Sequence, residues 1–99
     1  MLSGMPNALV KWKLKKVGSR LRSVRAELLV IDEQRPYLAD EADDLELRAI
    51  VDESSHTRLA AREAGGHAGA MARARAHAVA EIARLEATQD KLLDQLSSR

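Results

Sequence analysis

Along the first half of the chain the apolar positions Val10, Leu14, Val17, Leu21, Val24, Leu28 and Ile31 recur at alternating intervals of four and three residues. Met71, Ala78, Ile82, Leu85, Leu92 and Leu96 keep the same spacing in the second half, with Arg75 and Gln89 filling the gaps. Such a repeat lines one face of an α-helix and marks a heptad seam. Two seams on one chain, joined by a short turn, bury each other best when the helices run antiparallel. The fold class expected is therefore all-α: a long antiparallel two-helix coiled-coil hairpin, able to dimerise into a four-helix bundle.

Local signals divide residues 1–99 of this single hairpin. Gly4 and Pro6 fall in a frayed lead-in, residues 1–7, with Asn7 as the candidate cap of a first arm over 8–52. The cluster Asp52, Glu53, Ser54, Ser55, His56 and Thr57 predicts a turn at 53–57, with Ser54, Ser55 or Thr57 capping a second arm over 58–97. Pro36 removes a backbone donor and biases Arg35 away from helical angles. Because Leu38, Ala42 and Leu45 continue the seam in phase, a kink is expected there; a separate helix beginning at Pro36 is the alternative.

With the turn at that place, facing residues should have numbers summing to about 110. Leu14 then meets Leu96, Val17 meets Leu92, Val24 meets Leu85 and Leu28 meets Ile82. Toward the turn Leu38 meets Met71, Leu45 meets Ala64 and Ala42 meets Ala68. Gly65, Gly66 and Gly69 lie in this small-residue zone, as expected of a close helix approach, or else of a hinge. The register also sets Arg35 and Arg75 at one level, so a carboxylate such as Asp32 or Asp40 is needed beside them.

Composition supports helices and little else. Of the 99 residues 45% are hydrophobic but only 2% aromatic, and Ala, Leu, Glu, Arg and Lys dominate. There is no cysteine, which excludes disulfides and thiolate chemistry. The net charge of +1 is unevenly spread. Lys11, Lys13, Lys15, Lys16, Arg20, Arg22 and Arg25 precede the first acid, Glu27, whereas Asp40, Glu41, Asp43, Asp44, Glu46, Asp52 and Glu53 crowd the region before the turn. No apolar run reaches the roughly 18 residues of a membrane span, and no secretory h-region opens the chain, so a cytoplasmic location is the expectation.

Three surfaces remain once the seam is buried. Leu28 to Ile31 form an apolar run wider than a two-helix seam covers, and Leu47, Ile50, Val51 and Leu59 make a second excess. Leu29, Val30, Leu47, Ile50 and Val51 are thus candidate protein contacts, either with a second copy or with a larger assembly. Trp12, Lys15, Lys16 and Arg22 form a basic face suited to phosphate, in nucleic acid or at a membrane surface. Across the seam Arg25 should reach Glu86, since flanking positions of the same heptad letter face each other in an antiparallel pair.

Catalytic constellations are absent from the pattern. His56, His67 and His77 are ten and eleven residues apart, too far along a helix to share a metal. The acids from Asp40 to Glu46 lack the glycine and closing glutamate of a calcium loop, and Gly65-Gly66 has no strand before it, so it is not a phosphate loop. No enzyme activity, metal or cofactor is expected.

The stretches Arg35-Pro36, Ala60-Ala61-Arg62-Glu63 and Ile82-Ala83-Arg84-Leu85-Glu86 resemble the helical arm of Gre-type transcript cleavage factors. The resemblance implies an arm that enters the secondary channel of RNA polymerase, with Asp52 and Glu53 as tip acids that help hold a catalytic magnesium. The family's Asp-Leu-x-Glu-Asn-Ala-Glu-Tyr tip signature is replaced here by Asp52-Glu53-Ser54-Ser55. The whole chain also resembles small alanine- and arginine-rich coiled-coil proteins of high-GC bacteria, a likeness that carries no activity. The reading of the residues themselves is a non-enzymatic coiled-coil interaction module. The alternatives are a secondary-channel factor and a peripheral membrane-surface binder.

Overall fold

The carbonyl of Pro6 takes hydrogen bonds from the amides of Leu9 (3.0 Å) and Val10 (3.1 Å) in a computed structural model that describes residues 6–97. Helix α1 runs Asn7–Asp52 and helix α2 runs Ser55–Ser97. Asn7 is therefore the first helical residue and Pro6 takes the cap position expected of Asn7. A proline costs nothing there, because only its carbonyl is needed. Residues 1–5 of the expected lead-in lie outside those described.

α1 continues through Pro36 without interruption. The missing amide removes one rung of the ladder, and the apolar seam on both sides holds the same face inward. A separate helix starting at Pro36 does not occur.

Two compact units make up the hairpin. One pairs α1 up to Glu27 with α2 from Ala78 onward, and the other is Leu28–His77. In the first unit Val10, Leu21 and Val24 are each 1% exposed, and Ala78 and Leu92 are also buried. Leu14, Val17, Ile82, Leu85, Gln89 and Leu96 are half-buried. In the second unit Ala64 is buried, while Leu28, Ile31, Leu38, Ala42, Leu45, Ala68, Met71 and Arg75 are half-buried. Every apolar seam position named from the spacing thus faces inward. Arg35, which the heptad also places on the seam, is exposed.

The turn is tighter than the five residues expected. Only Glu53 and Ser54 lie between the two helices. Glu53 adopts φ 58° and its amide still bonds the carbonyl of Ala49 at 3.1 Å, the left-handed exit that ends a helix in one step. Ser54 then caps α2: its Oγ accepts the amide of Thr57 at 3.0 Å. Thr57 donates its only hydroxyl hydrogen to Asp52 Oδ2 at 2.7 Å, so in the 2.7 Å contact between the two hydroxyls Ser54 is the donor. Arg58 closes the turn by donating from Nη1 to the Glu53 carbonyl at 2.8 Å.

The shorter turn changes the register. Arg20 to Glu81 and Arg25 to Glu86 are same-letter pairs on the two flanks of one seam, and together they require facing seam numbers to sum to about 106 rather than 110. Leu21 is thereby level with Leu85, and Leu14 with Leu92. The expected clash of Arg35 with Arg75 is relieved by the same shift, and Arg75 Nε donates to Asp32 Oδ1 at 2.7 Å.

The glycines are not packing contacts. A Cβ at Gly65 or Gly66 meets nothing within 4 Å, and one at Gly69 meets only the Arg73 guanidinium at 3.4 Å, on its own helix. On this stretch Ala64 is buried and Ala68 half-buried.

Candidate functional site

Charge divides between the units. The first holds ten basic and five acidic residues, a balance of +5; the second holds six basic and ten acidic, a balance of −4, which together give the chain's +1. Each unit therefore presents a distinct surface.

In the first unit a groove of about 400 Å³ runs between the helices. Trp12, Lys13, Lys16 and Val17 contribute from α1, and Thr88, Lys91, Leu92 and Gln95 from α2. Half-buried Val17 and buried Leu92 give it an apolar floor, and three ammonium groups stand around it with no carboxylate among its lining residues. Lys16 Nζ lies 5.3 Å from the centre of the Trp12 ring, within cation–π range, which holds the lysine along the indole. Of the basic-face candidates only Trp12 and Lys16 line this groove; Lys15 and Arg22 are exposed but stand elsewhere on α1. Lys13 and Lys91 were missed. Lys91 comes from the other helix, and only the register brings it there.

Beyond the groove, Arg20 forms a fork with Glu81, Nε to Oε2 at 2.9 Å and Nη2 to Oε1 at 3.0 Å. These bonds hold the Glu81 carboxyl below its ordinary pKa and raise that of Arg20. The expected Arg25 to Glu86 bond is present at 2.9 Å. The rule that identifies it also pairs Arg20 with Glu81, so that signal was in the sequence.

The second unit carries the apolar excess. Leu29, Val30, Leu47, Ile50 and Val51 are between 50% and 78% exposed, and Tyr37 is 78% exposed. Beside the turn an open groove of about 540 Å³ is lined by Leu45, Leu47, Arg48, Val51, Asp52, His56, Thr57 and Ala60. The structure thus gathers Leu47 and Val51 at one groove next to exposed Ile50. Leu29 and Val30 lie more than four helical turns back along α1. The tip acids have different surroundings: one Asp52 oxygen is engaged by Thr57, while Glu53 serves through its backbone. Asp44 pairs with Arg48 one turn on, at 3.2 Å.

Among the described residues no three His, Asp or Glu side chains are placed to hold a metal ion, and no helix is long and apolar enough to cross a membrane. No protein-family model, curated protein or solved structure matches the chain.

Proposed function

We propose that this protein is a non-enzymatic interaction module, a helical hairpin that binds other protein through the outward apolar residues of α1. The observation that carries the reading is the exposure of Leu29, Val30, Leu47, Ile50 and Val51, each at least half open to solvent while the heptad seam is already covered. Five large apolar side chains concentrated on one helix exceed the scattered exposure of an ordinary monomer surface. A protein partner removes them from water at roughly 25 cal/mol per Å² of apolar area.

The test is affinity capture of the tagged full-length chain from its own cell extract, beside a variant with all five residues changed to serine. Helicity by circular dichroism should be equal in the two. Proteins retained by the wild type after nuclease and in high salt, whether further copies or a larger assembly, should be lost with the variant. Recovery of nothing by the wild type, or of the same proteins by both, overturns the reading.

A second reading, contact with phosphate groups of nucleic acid, is supported by the Trp12 groove with Lys13, Lys16 and Lys91 at its edge. Trp12 is the only tryptophan, so its fluorescence reports on the groove alone. Titration with single-stranded oligonucleotide should quench it, with an affinity that falls steeply as salt rises. A flat signal at low salt removes this reading.

A further inference from the structure

Every ion pair among the described residues is made by an arginine: Arg20, Arg25, Arg48 and Arg75 each hold a carboxylate. Lys13, Lys16 and Lys91 hold none, and all three line the groove of the first unit. Lys13 is half-buried, and Lys16 and Lys91 are exposed. With facing numbers summing to about 106 in this unit, Lys91 of α2 is level with Lys15 of α1, between Lys13 and Lys16. The groove thus has one cation on its α2 wall and two on its α1 wall, the latter about 4.5 Å apart along the axis. Between the walls lies the apolar floor of Val17 and Leu92.

We infer that this groove seats one unstacked base of single-stranded nucleic acid, with the phosphates on either side of that base held by lysines of opposite walls. This deepens the phosphate reading of the groove given above and rests on it; the protein-contact reading is independent of it. Contact with phosphates alone needs cations and no apolar surface, so the floor requires a ligand that brings an apolar face to the same place. A single anionic head on an apolar tail would satisfy the floor but neutralise only one wall. A strand crossing the groove satisfies both. One phosphate goes to Lys91, the next to Lys13 and Lys16, and the base between them lies against Val17, Leu92 and the indole. Trp12 is 56% exposed with Lys16 already along it, so ring surface remains for stacking.

Thr88 adds a preference. Its hydroxyl hydrogen goes to the Arg84 carbonyl at 3.0 Å, so toward a ligand its oxygen can only accept. Such an oxygen repels a phosphate and suits an N–H group, which bases carry on their pairing edge. That edge is open in a single strand, whereas in a duplex it is paired and the base must first be flipped out of the stack. The groove volume of about 400 Å³ suits one nucleotide and not a duplex.

The test follows the anisotropy of three labelled DNA strands of equal length with the full-length chain at low salt: a single-stranded oligothymidylate, a duplex, and an abasic sugar-phosphate strand. The oligothymidylate should bind about ten-fold tighter than either of the others. Trp12→Leu, which keeps the site apolar, should bring it down to the affinity of the abasic strand and leave the abasic strand unchanged. Lys91→Gln should weaken oligothymidylate binding about ten-fold and lower its salt slope by about one, and Lys91→Arg should restore both. Lys15→Gln removes the same charge from an exposed position off the groove and should cost markedly less. Circular dichroism should show every variant as helical as the wild type.

A duplex or abasic strand bound as tightly as the oligothymidylate overturns the seated base and leaves phosphate contact intact. Equal losses from Lys91→Gln and Lys15→Gln do the same. Binding of none of the three strands removes the phosphate reading and this inference together.

Discussion

Replacing Gly65 and Gly66 by alanine should make the protein more stable. Both sit in the interior of α2, and a Cβ at either position meets nothing within 4 Å. The substitution therefore adds no steric cost in the folded chain. It restricts the unfolded backbone and improves helix propensity, worth about 0.5–1 kcal/mol at each site. Each gain is a local change of backbone propensity, so the double variant should gain about 1–2 kcal/mol. For a domain of this size that raises the melting temperature by roughly 5–15 °C. Urea unfolding followed by circular dichroism, at one fixed protein concentration, should show a later midpoint with an unchanged slope. Gly69→Ala is the internal comparison, since its Cβ would lie 3.4 Å from the Arg73 guanidinium, the mobile end of a long side chain, and should gain no more than either neighbour. A neutral or destabilised double variant refutes the reasoning, and would mean that the backbone at this place is required to leave the helical conformation.

Leu21→Ala should cost about 2–5 kcal/mol, because Leu21 is 1% exposed at the seam, and the same change at Leu29, 64% exposed, should cost under about 0.5 kcal/mol at concentrations where the chain is monomeric; urea midpoints measure both. Glu53→Gly should stabilise the turn by about 1 kcal/mol, since φ 58° strains a residue with a Cβ and the Arg58 bond goes to the backbone carbonyl, which glycine keeps. Glu81→Gln tests the fork to Arg20 through pH. The carboxyl of Glu81 is held below its ordinary value in the folded chain, so the unfolded chain takes up the proton first. The wild type's advantage over the variant should be complete above the ordinary glutamate pKa of about 4.3 and vanish as pH falls through the lower folded value. An advantage that does not change from pH 6 to pH 2 would exclude that ion pair as its source.

Most of the architecture was legible in residue spacing. Leu21, Val24 and Leu92 are buried because a helix turns by a fixed angle per residue, so a three-four repeat names a face without reference to anything distant. The same arithmetic marks Leu47, Ile50 and Val51 as surplus, and it pairs Arg25 with Glu86. Pro36 shows the limit of local rules. Its preference against a preceding helical residue was outweighed by seam positions on both sides of it, which is a property of the whole helix. The glycines show the reverse: small residues beside a seam suggest close contact, yet Gly65 and Gly66 are exposed and a Cβ at either meets nothing within 4 Å.

The sequence by itself thus determined that there are two long helices, which face of each is apolar, where the chain reverses, and that opposite charges collect in different stretches. Those properties follow from periodicity and composition, which act locally. Only the tertiary structure decided that the turn is two residues long, that Ser54 rather than Ser55 or Thr57 is the cap, and that Arg20 grips Glu81 while Lys91 joins Trp12. A change of a few residues in the turn slides one helix past the other and changes which seam residues are level, while the flanking Arg25 to Glu86 pair is kept. Spacing along one helix carries no information about that slide, because it is set by the backbone angles of Glu53 and by the hydrogen bonds that Asp52, Ser54 and Thr57 make with one another.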